Sequence, residues 1–325
     1  MRHRRVMALA ASALLVFCEA NAQEIYPIPD KAVRIVVPFA AGGGSDVIMR
    51  MVSQELAKRL KTSVLVDNKP GASGQIGADF VAKAPKDGHT LVAGSTSTHS
   101  ANEYLFKRLP YDPVKDFAPI VRVSTNPLML LVESGSPYYS IQELLNAARS
   151  NPNKLSYGYA NAAGNVTASK MLNVAKVSVV SVPYKDAPQL LTDLMGRRVD
   201  FIFYDVAGTR ALIESRKLRV LATSAPKRSP IAPDVPSISE SRGFEKFSFL
   251  IWLGLFAPQG TPKIAIDKLN QETSAVTKLP DITRRMQQDF FLDVSDTSVS
   301  EFEAFLSEQR QTWKQLVEEA KIVPE

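Results

Sequence analysis

The chain has 325 residues, of which 45% are hydrophobic and 22% charged, with 39 Lys and Arg against 33 Asp and Glu. That length holds two ordinary domains or one large one, and the composition excludes a disordered chain, a collagen-like repeat or a disulfide scaffold. The formal charge of +6 is too mild to argue for nucleic acid, and three of its positives lie within the first five residues.

Arg2, Arg4 and Arg5 precede a 13-residue apolar run, Val6 to Cys18, and then the small residues Ala20-Asn21-Ala22. Basic, apolar and A-x-A segments in that order predict an export signal cleaved after Ala22. The run falls short of the roughly 20 residues that a membrane span needs. Phe17 is too bulky for a lipid-attachment motif at Cys18. Cleavage removes three Arg and Glu19, leaving 36 basic against 32 acidic residues, a charge of +4 on 303 residues. It also removes the only cysteine, which suits an oxidising compartment without disulfides.

Residues 33–39 (VRIVVPF) form a continuous apolar run, as expected of a parallel strand covered on both faces. The glycine-rich AAGGGSD follows, and then a helical stripe from Asp46 to Leu60. A strand is expected at 64–68, a helix over Ile76–Ala84 and a strand at 90–95, giving a βαβαβ unit with right-handed crossovers. Two apolar runs flank Asn126-Pro127, and Ile141–Arg149 reads as a helix. Strand-like runs recur at 155–160, 177–183, 199–204 and 218–223, with a helix at 187–195, which makes a second α/β unit. Four prolines make 225–243 mostly loop. Phe247–Ala257 is a further buried strand, followed by helices at Lys263–Thr277 and Ser300–Lys321. The scarcity of linkers favours two α/β lobes that exchange the chain more than once.

After signal removal only His89 and His99 remain, and there is no H-E-x-x-H, cysteine cluster or aspartate-rich calcium loop. No metal and no cofactor is expected. There is no G-x-S-x-G elbow, and AAGGGSD lacks the Lys-Ser/Thr of a phosphate-binding loop. Gly42-Gly43-Gly44 stands between a buried strand and a helix, so it reads either as a plain tight turn or as an anion seat of backbone N–H groups. Ser45 or Asp46 is placed to cap the helix. Open α/β sheets bind ligands at the carboxyl ends of their strands. Ser95, Thr96 and Ser97 lie at one such edge, and Ala163-Gly164-Asn165-Val166-Thr167, Tyr184-Lys185 and Tyr204-Asp205 lie at another. Gly164, Asn165 and Thr167 are therefore candidate ligand contacts.

PFAAGGGSD (38–46), VDNKPGASGQIGADFVAKAPKDGHTL (66–91), LPYDPVKDFAPI (109–120), VPYK (182–185), LRVLATSAPKRSP (218–230), DVPSISE (234–240) and LGLFAPQGTP (253–262) occur in that order. Together they resemble the Bug family, the periplasmic solute-binding receptors of tripartite tricarboxylate transporters. The resemblance implies a type II two-lobed α/β binding fold, with 23–123 plus 250–325 as one lobe and 124–249 as the other. Hinges would fall near Val123–Thr125 and Ser248–Leu250. It implies a receptor without catalysis, monomeric, that takes a small-molecule carboxylate and hands it to membrane permease subunits. Phe39, Ala41, Gly42, Gly43 and Asp46 match the family's PF-x-x-GG-x-x-D loop, Ser95 and Thr96 its loop after the third strand, and Asp205 its V-D-x-x-F aspartate. The second lobe departs from the pattern at YGYANAAGNVTASK (157–170), with Val166 for glycine and Lys170 for histidine. Tyr159 and Val166 would make that end more apolar, which suits an aromatic or long-chain dicarboxylate. An exported hydrolase or lyase using Ser95 or Asp205, or a binding subunit for signalling, is the alternative.

Overall fold

The computed structural model describes residues 26–229, 232–319 and 324. The expected export signal, Cys18 and the cleavage site lie outside the described residues, as does Lys321.

The first sheet begins with β1 (Val33–Val37), followed by α1 (Gly44–Leu60), β2 (Val64–Asn68), α2 (Gln75–Ala82) and β3 (Thr90–Ser95). A π-helical turn at Ser97–Ala101 and the short α3 (Asn102–Leu105) lead to β4 (Phe117–Pro127). The second sheet takes β5 (Met129–Glu133), α4 (Ile141–Ser150), β6 (Ser156–Tyr159), α5 (Ala162–Ala175), β7 (Val180–Pro183), α6 (Ala187–Met195), β8 (Phe201–Tyr204), α7 (Val206–Glu214) and β9 (Leu218–Thr223). The chain then returns through β10 (Leu250–Pro258), α8 (Lys263–Thr277), α9 (Pro280–Arg284), β11 (Asp293–Val294) and α10 (Val299–Glu319).

The strand orders are β11-β4-β10-β3-β1-β2 and β7-β6-β8-β5-β9. In the first sheet β1 runs parallel to β2 and β3, as the βαβαβ pattern predicts, while β10 is antiparallel to both β3 and β4. Helices cover both faces. Val33, Ile35 and Val37 pack with Ile48, Val52 and Leu56 of α1 and Leu269 of α8. Val36 points the other way, onto Ala78 and Val81 of α2 and Phe302 of α10. A strand buried on both faces has no room for alternation, hence its unbroken apolar run. In the second sheet Leu130, Phe201 and Phe203 face α4 and α5, and Leu131 and Ile202 face α6.

Two stretches of chain cross between the sheets, after Pro127 and before Leu250. Residues 124–127 still belong to β4, and Pro127 pairs with Leu250. Val123–Thr125, expected near a hinge, therefore lies inside a strand. Ser224, wholly buried, sits between the crossings. Its hydroxyl accepts from Leu128 N at 2.9 Å and donates to Phe249 O at 2.6 Å. Its own N–H donates to Leu128 O, and its carbonyl accepts from Phe249 N, both at 2.9 Å. The far end of α10 reaches the same place, where Trp313 meets Phe249 edge-on at 5.5 Å.

Candidate functional site

The carboxyl ends of β1, β3 and β8 converge on a cleft between the two sheets. The loop after β1 supplies Phe39, Gly43, Gly44 and Ser45, the turn after β3 supplies Ser95, Thr96 and Ser97, and Trp252 lies on its floor. Across the cleft stand Asn161 and Ala163, at the start of α5, and Tyr204 and Asp205 at the end of β8.

The cap of α1 differs from expectation. Gly43 is the N-cap, with extended backbone and no side chain to accept the first N–H groups. Asp46 instead turns back under the loop. Its carboxylate accepts from Gly42 N at 2.9 Å, Arg50 Nε at 3.1 Å and Asn68 Nδ2 at 2.9 Å. Asn68 also donates to Phe39 O at 3.1 Å, so the end of β2 latches the loop at both ends. Burial pushes the Asp46 carboxyl up, but the bonds from Arg50, Gly42 and Asn68 outweigh it and hold the group below the ordinary value. Gly42 has φ +79°, a left-handed conformation that favours glycine. Asp46, Ala41 and Gly42 shape the loop from behind and do not line the cleft. Orphan N–H groups at a helix start carry partial positive charge, and the start of α1, uncapped by the side chain of its N-cap residue, lines the chamber.

After β3, Thr96 Oγ1 accepts from Trp252 N at 2.8 Å and Thr98 Oγ1 accepts from Ser95 N at 3.0 Å. The Ser95 hydroxyl is buried and has no partner among the described residues. His99 is out of its reach in chemical terms. The ring stacks on Phe256 at 3.9 Å, its Nδ1 meets Thr98 Oγ1 at 2.8 Å, and burial, with a smaller push from Arg310, drives its pKa down to about 3. His89 is also structural, since its Nε2 accepts from Ile28 N at 3.1 Å.

In the segment 157–170, where the sequence departs from the family pattern, the end of β6 is followed directly by α5. Asn161 caps α5 by accepting from Gly164 N at 2.9 Å. The Thr167 hydroxyl donates to Ala163 O at 2.7 Å inside the core, and Val166 is fully buried there too. Val166 therefore does not make the cleft apolar. Asn165 accepts from Tyr157 Oη at 2.8 Å and faces a separate outer chamber. Lys170, in place of the family's histidine, donates to Ser248 O at 3.0 Å.

Asp205 caps α7, accepting from Gly208 N at 2.8 Å. It lies deep between the lobes while keeping part of its surface on the cleft, and burial raises its pKa. The Tyr204 hydroxyl is raised too, by burial and then by Asp205. Sequence reasoning missed Asn126, Asn161 and Trp252. For Asn161 the signal was present, as a polar residue three before Gly164 at a helix start. Asn126 and Trp252 sit inside apolar strands and gave none. Among the described residues no group of three or more His, Cys, Asp or Glu is placed to hold a metal, and no helix is long and apolar enough to cross a membrane.

Two mixed α/β lobes with helix N-termini directed into the cleft between them define a periplasmic binding protein fold. Residues 48–322 match the Tripartite tricarboxylate transporter family receptor, and the chain belongs to this family of binding receptors, which are not enzymes. It is 36% identical over 287 residues to a UPF0065 protein in the tcbD-tcbE intergenic region of Pseudomonas sp. strain P51, covering 88% of this chain and 85% of the relative. Among solved structures it is similar to periplasmic binding protein BugD, at 31% identity and TM-score 0.86, covering 92% of this chain and all of the other. It is similar to Rpa4515 of R. palustris with adipate, at 28% identity and TM-score 0.88, covering 91% and 99%. It is also similar to MatC of Rhodopseudomonas palustris with bound malate, at 29% identity and TM-score 0.82, covering 89% and 100%.

Proposed function

We propose that this receptor captures a small organic carboxylate in the interlobe cleft, with a dicarboxylate or an aromatic carboxylate preferred, and delivers it to the permease of a tripartite transporter. The observation that carries this reading is the start of α1. Gly43 supplies no side-chain cap, and Gly43, Gly44 and Ser45 line the chamber beside a Ser95 hydroxyl that has no partner among the described residues. Such a pocket of donors matches a carboxylate, through direct or water-bridged bonds. Two solved relatives are described with adipate and with malate, which supports a dicarboxylate.

In this reading Phe39, Gly43, Ser95, Thr96 and Asp205 meet the ligand. Ala41, Gly42 and Asp46 set the shape of the loop, and Gly164 and Thr167 fix the start of α5. The export signal, cleaved after Ala22, delivers a monomer to the periplasm. Lobes 23–123 plus 250–325 and 124–249 close on the guest by bending at the crossings, as periplasmic binding proteins do.

A thermal-shift panel of tricarboxylates, C4–C6 diacids, aromatic acids and acidic amino acids tests the reading on protein refolded to strip carried ligand. A ligand at a hundredfold excess over its dissociation constant contributes about 2.7 kcal/mol, which for a chain of this size raises the midpoint by roughly 4 °C. A selective carboxylate hit is expected. A panel without a response among the carboxylates overturns the reading.

A further inference from the structure

The chamber between Gly43 and Ser95 has a volume of about 60 Å³. That is several times the roughly 10–15 Å³ that one water needs and about a tenth of the wider chamber nearby, so the narrow space suits a carboxylate and the wide one the body of an organic acid. Beside it lies a narrow neck lined by Phe39, Asn161, Tyr204, Lys185 and Asp186. Beyond the neck lies a chamber of about 580 Å³ walled by Leu105, Phe106, Tyr159 and Tyr184, with Asn161 and Lys185 on its rim. Asn161 lines all three spaces, which therefore lie side by side between the lobes.

Lys185 stands on both neck and outer chamber, and among the described residues it has no ion pair or hydrogen bond. Its neighbour Asp186 lines the same neck as an opposite charge, its Oδ1 accepting from Gln189 N at 3.0 Å as the cap of α6, and among the described residues the two side chains form no ion pair. The outer chamber is thus apolar and aromatic on its walls with one unpaired cation at its inner edge.

We propose that Lys185 holds the second anionic group of an elongated diacid whose apolar or aromatic middle lies against Phe106, Tyr159 and Tyr184. The proposal rests on the carboxylate reading of the cleft. A flat ring or methylene chain fills an aromatic-walled space by burial of apolar surface. A second carboxylate at Lys185 adds a charge-assisted bond, and a guest that spans these spaces shields that bond from water.

Matched pairs of probes isolate the second charge: terephthalate against benzoate, and adipate against hexanoate, titrated calorimetrically. The wild-type protein binds each diacid about tenfold more tightly than its monoacid. Lys185→Met removes that preference and leaves the monoacid affinity in place, whereas Lys185→Arg keeps the preference. A preference that survives Lys185→Met, or a wild-type protein with no preference, overturns the proposal. Gly43→Val tests the underlying reading separately. If that variant, folded by circular dichroism, binds the monoacids as wild type does, the seat at α1 is wrong whatever Lys185 does. A wild-type protein that binds none of the four probes overturns both.

Discussion

The carboxylate of Asp205, on one lobe, lies against the Cα of Gly44, on the other. A methyl group on Gly44 would stand 2.0 Å from Asp205 Oδ1 and 2.5 Å from Cγ, closer than atoms can approach. Gly44 opens α1, where alanine is otherwise the better helix former by up to about 1 kcal/mol. Gly44→Ala is therefore expected to leave the melting temperature near or above that of wild type while holding the lobes apart. Ligand affinity should fall at least about tenfold, and small-angle scattering should show a larger radius of gyration with ligand present. Adding Asp205→Ala should restore closure. Unchanged affinity in Gly44→Ala would show that the lobes need not meet here.

Burial raises the pKa of Asp205, so folding disfavours its charged form. The contribution of this group to stability is full below the ordinary value of 3.8 and is lost as pH rises through the elevated folded value. Asp205→Asn keeps an oxygen for Gly208 N and cannot ionise. Its melting temperature should exceed that of wild type at neutral pH, with the difference closing as the solution is acidified. A constant difference at all pH values would contradict the assignment.

Asp46 is the opposite case, a carboxylate held below its ordinary pKa because three donors converge on it despite its burial. Its contribution is present above the ordinary pKa and lost as pH falls through the lower folded value. Asp46→Ala leaves Gly42 N without its acceptor and Asn68 Nδ2 with only Phe39 O, at a cost of about 2–4 kcal/mol by chemical denaturation. Ligand binding should weaken as well, although Asp46 lines no part of the cleft, because the glycine loop loses its latch.

At Gly43 an added Cβ would lie 3.2 Å from Ala40 O and 3.6 Å from the Tyr204 hydroxyl, tight but tolerable. The branches of a valine would then enter the chamber. Gly43→Val is expected to stay folded and to lose measurable carboxylate binding by calorimetry.

Much of the fold is legible in the sequence, and the exceptions share a cause. β2 at 64–68, β3 at 90–95, α6 at 187–195 and α8 at 263–277 fall where the apolar periodicity puts them. α5 was missed because its residues are small and buried around much of its girth, with Ala163, Val166, Ala168 and Met171 all in the core, so no polar stripe marks it. α7 was missed because Gly208 looks like a turn, yet that glycine is where the helix passes Gly44 N, 3.1 Å from the position of an added Cβ. In both, the capping residues Asn161 and Asp205 were the available sign. The cleft-lining loops after β1 and β3 were legible from their glycines and hydroxyls. The orientation of Asp46 was not, because its partners Asn68 and Gly42 flank it in space and not in a helical register.

The four bonds of Ser224 have a mechanical meaning. Two crossings free of each other would let one lobe roll, slide and twist over its neighbour. Ser224 bonds both crossings at one height, so sliding one past the other would break those bonds, whereas bending both together would not. In the closure proposed for the two lobes, such a restraint would keep the travel to one arc and bring the same atoms face to face each time. An approach as close as that of Asp205 to Gly44 can be tolerated only by a motion with so little lateral play.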